Sequence, residues 1–347
     1  MGRKKKRNKA ARLAPAPTKP VPVRRSRWPW ICLGLILLFV VIVRVRLLPV
    51  PLERDEGEYA YAGQLILDGI PPYQLVYNVK LPGIYAAYAS LMAIFGQTTF
   101  GIHLGLLFVN LGAVILIFFL ARRLFDAYAA VIASATYALM STSPAVMGSA
   151  AHATHFVILA ALGGFLVLLR GLESRRALTL FWSGLLFGIA VLMKQHGVFL
   201  GVFAFGVLLY NEWSSKIAAN SAGSSAGSLQ YPGTDAKKSL LPGLRRLAVF
   251  SFGTVVPYAL TCLILWRAGV FDNFLCCGLS RLLFLPALFC PHASGCGPPG
   301  RCGMHPRAAE TSPKRSWGFR LYCTGCCFPG WLRDGDLKAR AVSLVLF

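Results

Sequence analysis

The sequence predicts an all-α integral membrane protein of about seven transmembrane helices, with an external acidic loop that contains a surface helix. Three observations lead there. Hydrophobic residues make up 56% of the 347-residue chain and charged residues 14%, outside the range of an ordinary soluble domain. Apolar runs near twenty residues long need a bilayer as solvent. The Lys and Arg residues fall on one side of an alternating topology, as the positive-inside rule requires. A net charge of +23 alone would suit nucleic acid, but beside such runs it reads as topological, and no nucleic-acid partner is expected.

Residues 1–27 carry eleven Lys/Arg, no acid and a Pro-rich stretch over 15–22. They have too little to bury and are expected to form a disordered, basic cytoplasmic tail, able to lie on anionic lipid as a surface anchor. The apolar run 28–48 follows. Pro49-Val50-Pro51-Leu52-Glu53 offers no small-residue cleavage site, so the run reads as a retained signal anchor. Arg44 and Arg46 sit near its outer end and are expected to snorkel to the interface. Six further spans are expected at 101–121, 127–143, 154–170, 178–194, 197–213 and 245–266, with the small-residue pairs Gly184/Gly188 and Gly197/Gly201 suited to close helix packing. Residues 214–244, rich in Ser and Gly, read as a flexible cytoplasmic linker. Up to residue 275, this register puts twenty-one Lys/Arg inside and six outside. The protein is then a multi-pass protein of the inner (plasma) membrane, with a cytoplasmic N-terminus. The stretch 81–96 is apolar but short and opens Leu81-Pro82-Gly83. As a span it would invert the later loops, so it is read as a helix on the outer membrane surface.

The loop 49–80 holds Glu53, Asp55, Glu56, Glu58 and Asp68, five of the ten acids before residue 276, with Tyr59, Tyr61, Tyr73 and Tyr77 among them. On a helix starting near Asp55, positions 55, 58 and 59 share a face and Glu56 looks elsewhere. Read singly, each acid is equally well a cap or a solvated helix end. Lys194-Gln195-His196 ends a span on the same side, where a lysine is either a snorkelling anchor or a partner for an anion. His152 and His155, three apart in the turn before the fourth span, could face one cavity; packed interface histidines are the equal alternative. His103 starts the second span and is read as a packed residue.

Arg54-Asp55-Glu56-Gly57-Glu58-Tyr59-Ala60, then Gly69-Ile70-Pro71-Pro72-Tyr73, then Asn78-Val79-Lys80-Leu81-Pro82-Gly83-Ile84-Tyr85, together resemble the first external loop of membrane glycosyltransferases of the GT-C superfamily. The resemblance is to the protein O-mannosyltransferase-like and aminoarabinose-transferase-like families and covers about residues 28–275. It implies transfer of a sugar from a polyprenyl-phosphate carrier, at the outer face, to a lipid, glycan or protein acceptor. Within it, Asp55 is the expected catalytic base, because an acceptor hydroxyl must lose a proton as it attacks the anomeric carbon. Lys80 and Lys194 are expected beside the donor phosphate, and Glu56, Tyr59, His152, His155 and His196 in the substrate site. Some relatives carry Glu before the motif lysine, where Val79 stands here. No metal site is therefore assigned, and a divalent cation stays open. The rival reading is a multi-span transporter or channel, against which stands the clustering of acids in one external loop.

From residue 276 the composition changes. Eight of the ten cysteines fall in 276–347, with nine Lys/Arg against three acids. A zinc site with His292 and His305, an external disulfide-rich cap and a shifted reading frame are the alternatives. The last accounts for the most features, namely the abrupt onset, the lost periodicity and the Cys/Arg/Pro/Gly content.

Overall fold

The structure, a computed structural model, describes residues 27–76, 80–224 and 235–275. Residues 1–26, Tyr77 to Val79 and the Cys-rich stretch 276–347 lie outside the described residues. The elements are α1 (Trp28–Leu47), α2 (Arg54–Leu67), α3 (Pro82–Phe95), α4 (Thr99–Leu124), α5 (Ala127–Thr142), α6 (Ala153–Ser174), α7 (Ala177–Met193), α8 (Gly197–Ser224) and α9 (Asp235–Arg267). Among the described residues, five stretches are long and apolar enough to cross a membrane: α1, α4, α6, Gly197–Ser215 of α8 and Gly243–Arg267 of α9. The other two expected spans, α5 and α7, have 16 and 17 residues, short of the roughly 20 that a bilayer core takes. With no strand among the described residues, the chain is an all-α, multi-pass membrane protein.

Local chemistry sets the helix ends. Pro29 and Pro82 sit in the first turns of α1 and α3, where the missing N–H is not needed. Thr98 accepts from the Gly101 N–H at 3.0 Å and Asp126 from the Ala129 N–H at 2.8 Å, capping α4 and α5. Of the expected linker 214–244, residues 225–234 lie outside the described residues and the rest is helical, since α8 runs to Ser224 and α9 starts at Asp235. The alanines after Ile217 favour that extension.

Packing of α7 on α9 is the closest in the bundle. A Cβ on Gly184 would collide with the Phe250 carbonyl, one on Gly188 with the Thr254 carbonyl, and one on Gly253 with the Phe181 carbonyl. Small residues there let the two backbones touch, as helix association in lipid favours. Gly201 has only an ordinary contact, 3.8 Å from Phe187 Cβ.

The stretch expected to lie on the membrane surface is α3, and it is half buried. Ile84, Tyr85, Tyr88 and Met92 face the core, while Ile94 is 71% exposed. It packs on α2 along Gly63, where a Cβ would lie 2.9 Å from the Ala89 nitrogen. Its first turn rests on the end of α7, since a Cβ on Gly83 would lie 2.6 Å from the Leu192 carbonyl carbon. The core beneath joins Tyr59, Tyr73, Tyr85, Tyr88, Leu106, Phe156 and Phe274. It holds α2 and α3 at one end of the bundle.

Arg44 departs from its expected role. It is 2% exposed and donates to the carbonyls of Ser141 and Gly148 at 2.6 Å each and Ser149 at 3.0 Å. Instead of reaching water, its guanidinium ties the end of α1 to the loop between α5 and α6. Several fixed carbonyls replace hydration where an apolar helix has none to offer.

Candidate active site

The site grows from the first turn of α2. Glu53 is its N-cap: its carboxylate accepts from the Asp55 N–H at 2.9 Å, and Glu56 Oε2 accepts from the Glu53 N–H at 2.8 Å. This reciprocal capping fixes the turn. Helical spacing then separates the acids, turning Asp55, Glu58 and Tyr59 to one side and Glu56 to the other.

Lys80 is the centre of the first group. Its Nζ lies 3.1 Å from Asp55 Oδ1, 3.0 Å from Glu58 Oε2 and 4.5 Å from the centroid of the Tyr59 ring. The lysine is placed from below, since the Tyr73 hydroxyl donates to its carbonyl at 2.7 Å. Tyr85 donates to Glu58 Oε1 at 3.2 Å. On the remaining side of Asp55, His152 Nε2 stands 3.5 Å from Oδ2, and its Nδ1 is 2.9 Å from Thr154 Oγ1. Side-chain exposures of 33% for Asp55, 27% for Lys80 and 19% for His152 leave the cluster open to a ligand.

Burial tends to raise the Asp55 pKa, but the hydrogen bond and charge of Lys80, with His152 and Arg54, outweigh it and hold the carboxyl below its usual range. The Lys80 ammonium is correspondingly favoured: burial works against it, and Glu58, Tyr59 and Asp55 overcome that. Burial and then the Lys194 charge keep His152 below its ordinary value, against the pull of Asp55. Lys194, at the end of α7, is thus near enough to act on the same group. Burial, with Glu58 alongside, keeps the Tyr85 phenol protonated far above its ordinary range, which makes it a dependable donor.

Glu56 is turned inward. It is 1% exposed; its Oε1 accepts from the Ala151 N–H and lies 3.2 Å from His103 Nε2. Burial raises the Glu56 pKa, but the bonds from His103, Ala151 and Glu53 outweigh it and leave the pKa lowered. His103 Nδ1 in turn lies 3.2 Å from the Leu48 carbonyl. Glu56 therefore locks the start of α2 to the turn that carries His152. Behind it lies a cavity of about 210 Å³ lined by Glu53, Glu56, His103, Met147 and Ser149 among others.

Of the expected site residues, Asp55, Lys80, Tyr59 and His152 come together directly, and Lys194 acts on His152. Glu56 supports them from behind. His155 is buried with Nδ1 unpartnered and makes no hydrogen bond or ion pair with Asp55. His196 is exposed and makes no side-chain contact with the cluster among the described residues. Glu58, Tyr85 and Tyr73 belong to the cluster although only Asp55 and Lys80 were expected at its centre. Their signals were present: Glu58 lies one turn from Asp55, and Tyr85 closes the Lys80-to-Tyr85 motif.

An all-helical membrane bundle with carboxylate, lysine and imidazole grouped at one end has the makings of a membrane transferase. Residues 80–227 match the family model described as Dolichyl-phosphate-mannose-protein mannosyltransferase. The match indicates a glycosyltransferase of the mannosyltransferase type. It takes in Lys80, His152 and Lys194, whereas Asp55 and the rest of α2 precede it. No curated protein and no solved structure matches the chain.

Proposed function

We propose that this chain moves a sugar from a polyprenyl-phosphate carrier to a hydroxyl of a lipid, glycan or protein acceptor at the outer face of the plasma membrane. The observation that carries this reading is the sharing of Lys80 between Asp55 and Glu58, at 3.1 and 3.0 Å, within a chain whose residues 80–227 match a mannosyltransferase family model. The charge distribution supports the orientation: the loops around the site carry six Lys/Arg, against twenty-one on the other side counting the N-terminal tail.

In the proposed reaction Asp55 accepts the proton of the acceptor hydroxyl as its oxygen attacks the anomeric carbon. The bond from that carbon to the phosphate oxygen breaks, and the electron pair leaves with the polyprenyl phosphate. Lys80 and Lys194 balance the phosphate charge. At rest Lys80 keeps Asp55 a weak base. When a donor phosphate draws the ammonium toward itself, that restraint lessens and the carboxylate becomes more basic as the proton has to move. Glu58 and Tyr85 hold Lys80 ready, Tyr59 lies under it, and His152 orients the other oxygen of Asp55. No step is assigned to a divalent cation, and His155 and His196 have no role in it.

The test uses membranes containing the chain and a polyprenyl-phosphate sugar carrying a radiolabel. Label should pass to an endogenous acceptor from that donor and not from a nucleotide sugar. Transfer from the nucleotide sugar alone, or from neither, would overturn the reading.

A further inference from the structure

At the opposite end of the bundle, the short turn between α6 and α7 walls a cavity of about 460 Å³ lined by Arg170, Glu173, Ser174, Arg176 and Thr179. Four of its five lining residues are exposed, so it is an open pocket at the rim of the bundle. The other arginines of this end for which the structure gives partners are engaged internally. Arg122 lies over the Trp30 ring at 4.9 Å, Arg123 pairs with Glu173 at 2.6 Å, and Arg246 pairs with Glu212 and donates to the Gly171 carbonyl at 3.1 Å. Arg170 and Arg176 have no carboxylate within ion-pair distance among the described residues. Because Arg123 already neutralises Glu173, the cavity wall is left with two uncompensated guanidinium groups and two hydroxyls.

The depth of the cavity identifies its ligand. α6 has 22 residues, about 33 Å at 1.5 Å per residue, so Arg170, one turn before its C-terminal end, stands near headgroup level when the helix spans the membrane. On α7 beside Thr179, Leu178 is 66% and Trp182 51% exposed, one turn apart, an apolar strip fit for acyl chains and an interfacial aromatic. Arg175, between the two helices, takes a left-handed conformation with φ of 52°, which a glycine would adopt without strain. A tight turn made of two arginines keeps the positive charge at the rim.

We propose that this cavity is a binding site for the headgroup of an anionic phospholipid, with Arg170 and Arg176 holding its phosphodiester. Guanidinium groups match phosphate oxygens in pairs. A choline or ethanolamine headgroup would bring its own cation against two arginines, so the site discriminates by charge. In the orientation proposed above, it faces the leaflet richest in anionic lipid. The site is independent of the sugar chemistry, and it is distinct from the basic tail 1–27.

The experiment is native mass spectrometry of the full chain in detergent, titrated with phosphatidylglycerol, phosphatidylcholine or inorganic phosphate. Phosphatidylglycerol should form a retained one-to-one adduct, and phosphatidylcholine should bind about 10-fold more weakly or worse. Arg170→Gln with Arg176→Gln should cut the phosphatidylglycerol adduct by a similar factor, while Arg170→Lys with Arg176→Lys, which keeps the charge but loses the paired donors, should cut it less and shows that the fold is intact. Arg122→Gln should change nothing. Equal adducts with both lipids, an unchanged adduct in the double Gln variant, or equal loss in the double Lys variant would overturn the proposal. Displacement of the lipid by millimolar inorganic phosphate would overturn it too, in favour of a soluble anion.

Discussion

At one end of the bundle a single lysine serves two carboxylates; at the other, Arg123 and Arg246 each have a carboxylate of their own. Lys80 sits between Asp55 and Glu58, and all three side chains remain a quarter to a third exposed. Arg246 is instead buried between Glu212 and the Gly171 carbonyl, and it joins α9 to α8 and to α6. The first arrangement sets two carboxylates against one ammonium, within reach of a ligand. The second is complete within the chain. A shared, half-open pair can change partners when an anion arrives, whereas a buried one-to-one pair can only break, and breaking it destabilises strongly. This difference, more than acid content, is what favours the Lys80 end as the proposed reactive end.

The contrast can be tested in descending order of effect. Asp55→Asn keeps the size of the side chain and removes the proton acceptor, so transfer from the labelled polyprenyl donor should fall by about 100-fold or more, with donor binding retained. Transfer at the parental rate would make the acid cluster structural. Glu56→Ala leaves the Ala151 and Glu53 N–H groups and His103 without their acceptor in a buried site. A loss of about 3 kcal/mol in unfolding free energy is expected in detergent; a loss under about 1 kcal/mol would show that the turn is held by other contacts.

Lys80→Ala separates restraint from binding. Lys80 lowers the Asp55 pKa, and a base works only when deprotonated, so activity is lost as pH falls through that pKa. Without the ammonium the pKa rises. The acid limb of kcat/KM against pH, which reports the free enzyme, should therefore move to higher pH; a limb that stays in place or moves down would mean that Lys80 does not govern Asp55. At the far end, Arg123→Gln should have the smallest effect. Its partner Glu173 is 72% exposed, and such pairs contribute about 1 kcal/mol or less. A larger loss of thermal stability would mean that the pair clamps α4 to α6 more tightly than its exposure implies.

Much of the architecture was legible in the chain because it rests on local pattern. Apolar length placed helices α1 and α4 to α9, and the glycine pair 184/188 marked the closest packing, since only missing side chains let backbones touch. Helical spacing from Asp55 also put Glu56 on a different face from Glu58 and Tyr59, as observed. The tertiary structure alone decided which charges meet. The ion pairs Lys80–Asp55 and Lys80–Glu58 cross a loop, and His152 arrives from a turn almost a hundred residues beyond Asp55. No spacing rule reaches that far, because the distance is set by how α2, α3 and α6 pack on one tyrosine-rich core. The same holds for Arg44: its position in an apolar run suggests an escape to the interface, but three carbonyls from the end of α5 and the loop after it offered a better solvent than the membrane surface. Charge in a membrane protein goes where its counterpart is folded. Residue type and local spacing name the candidates for that partnership, and packing selects among them.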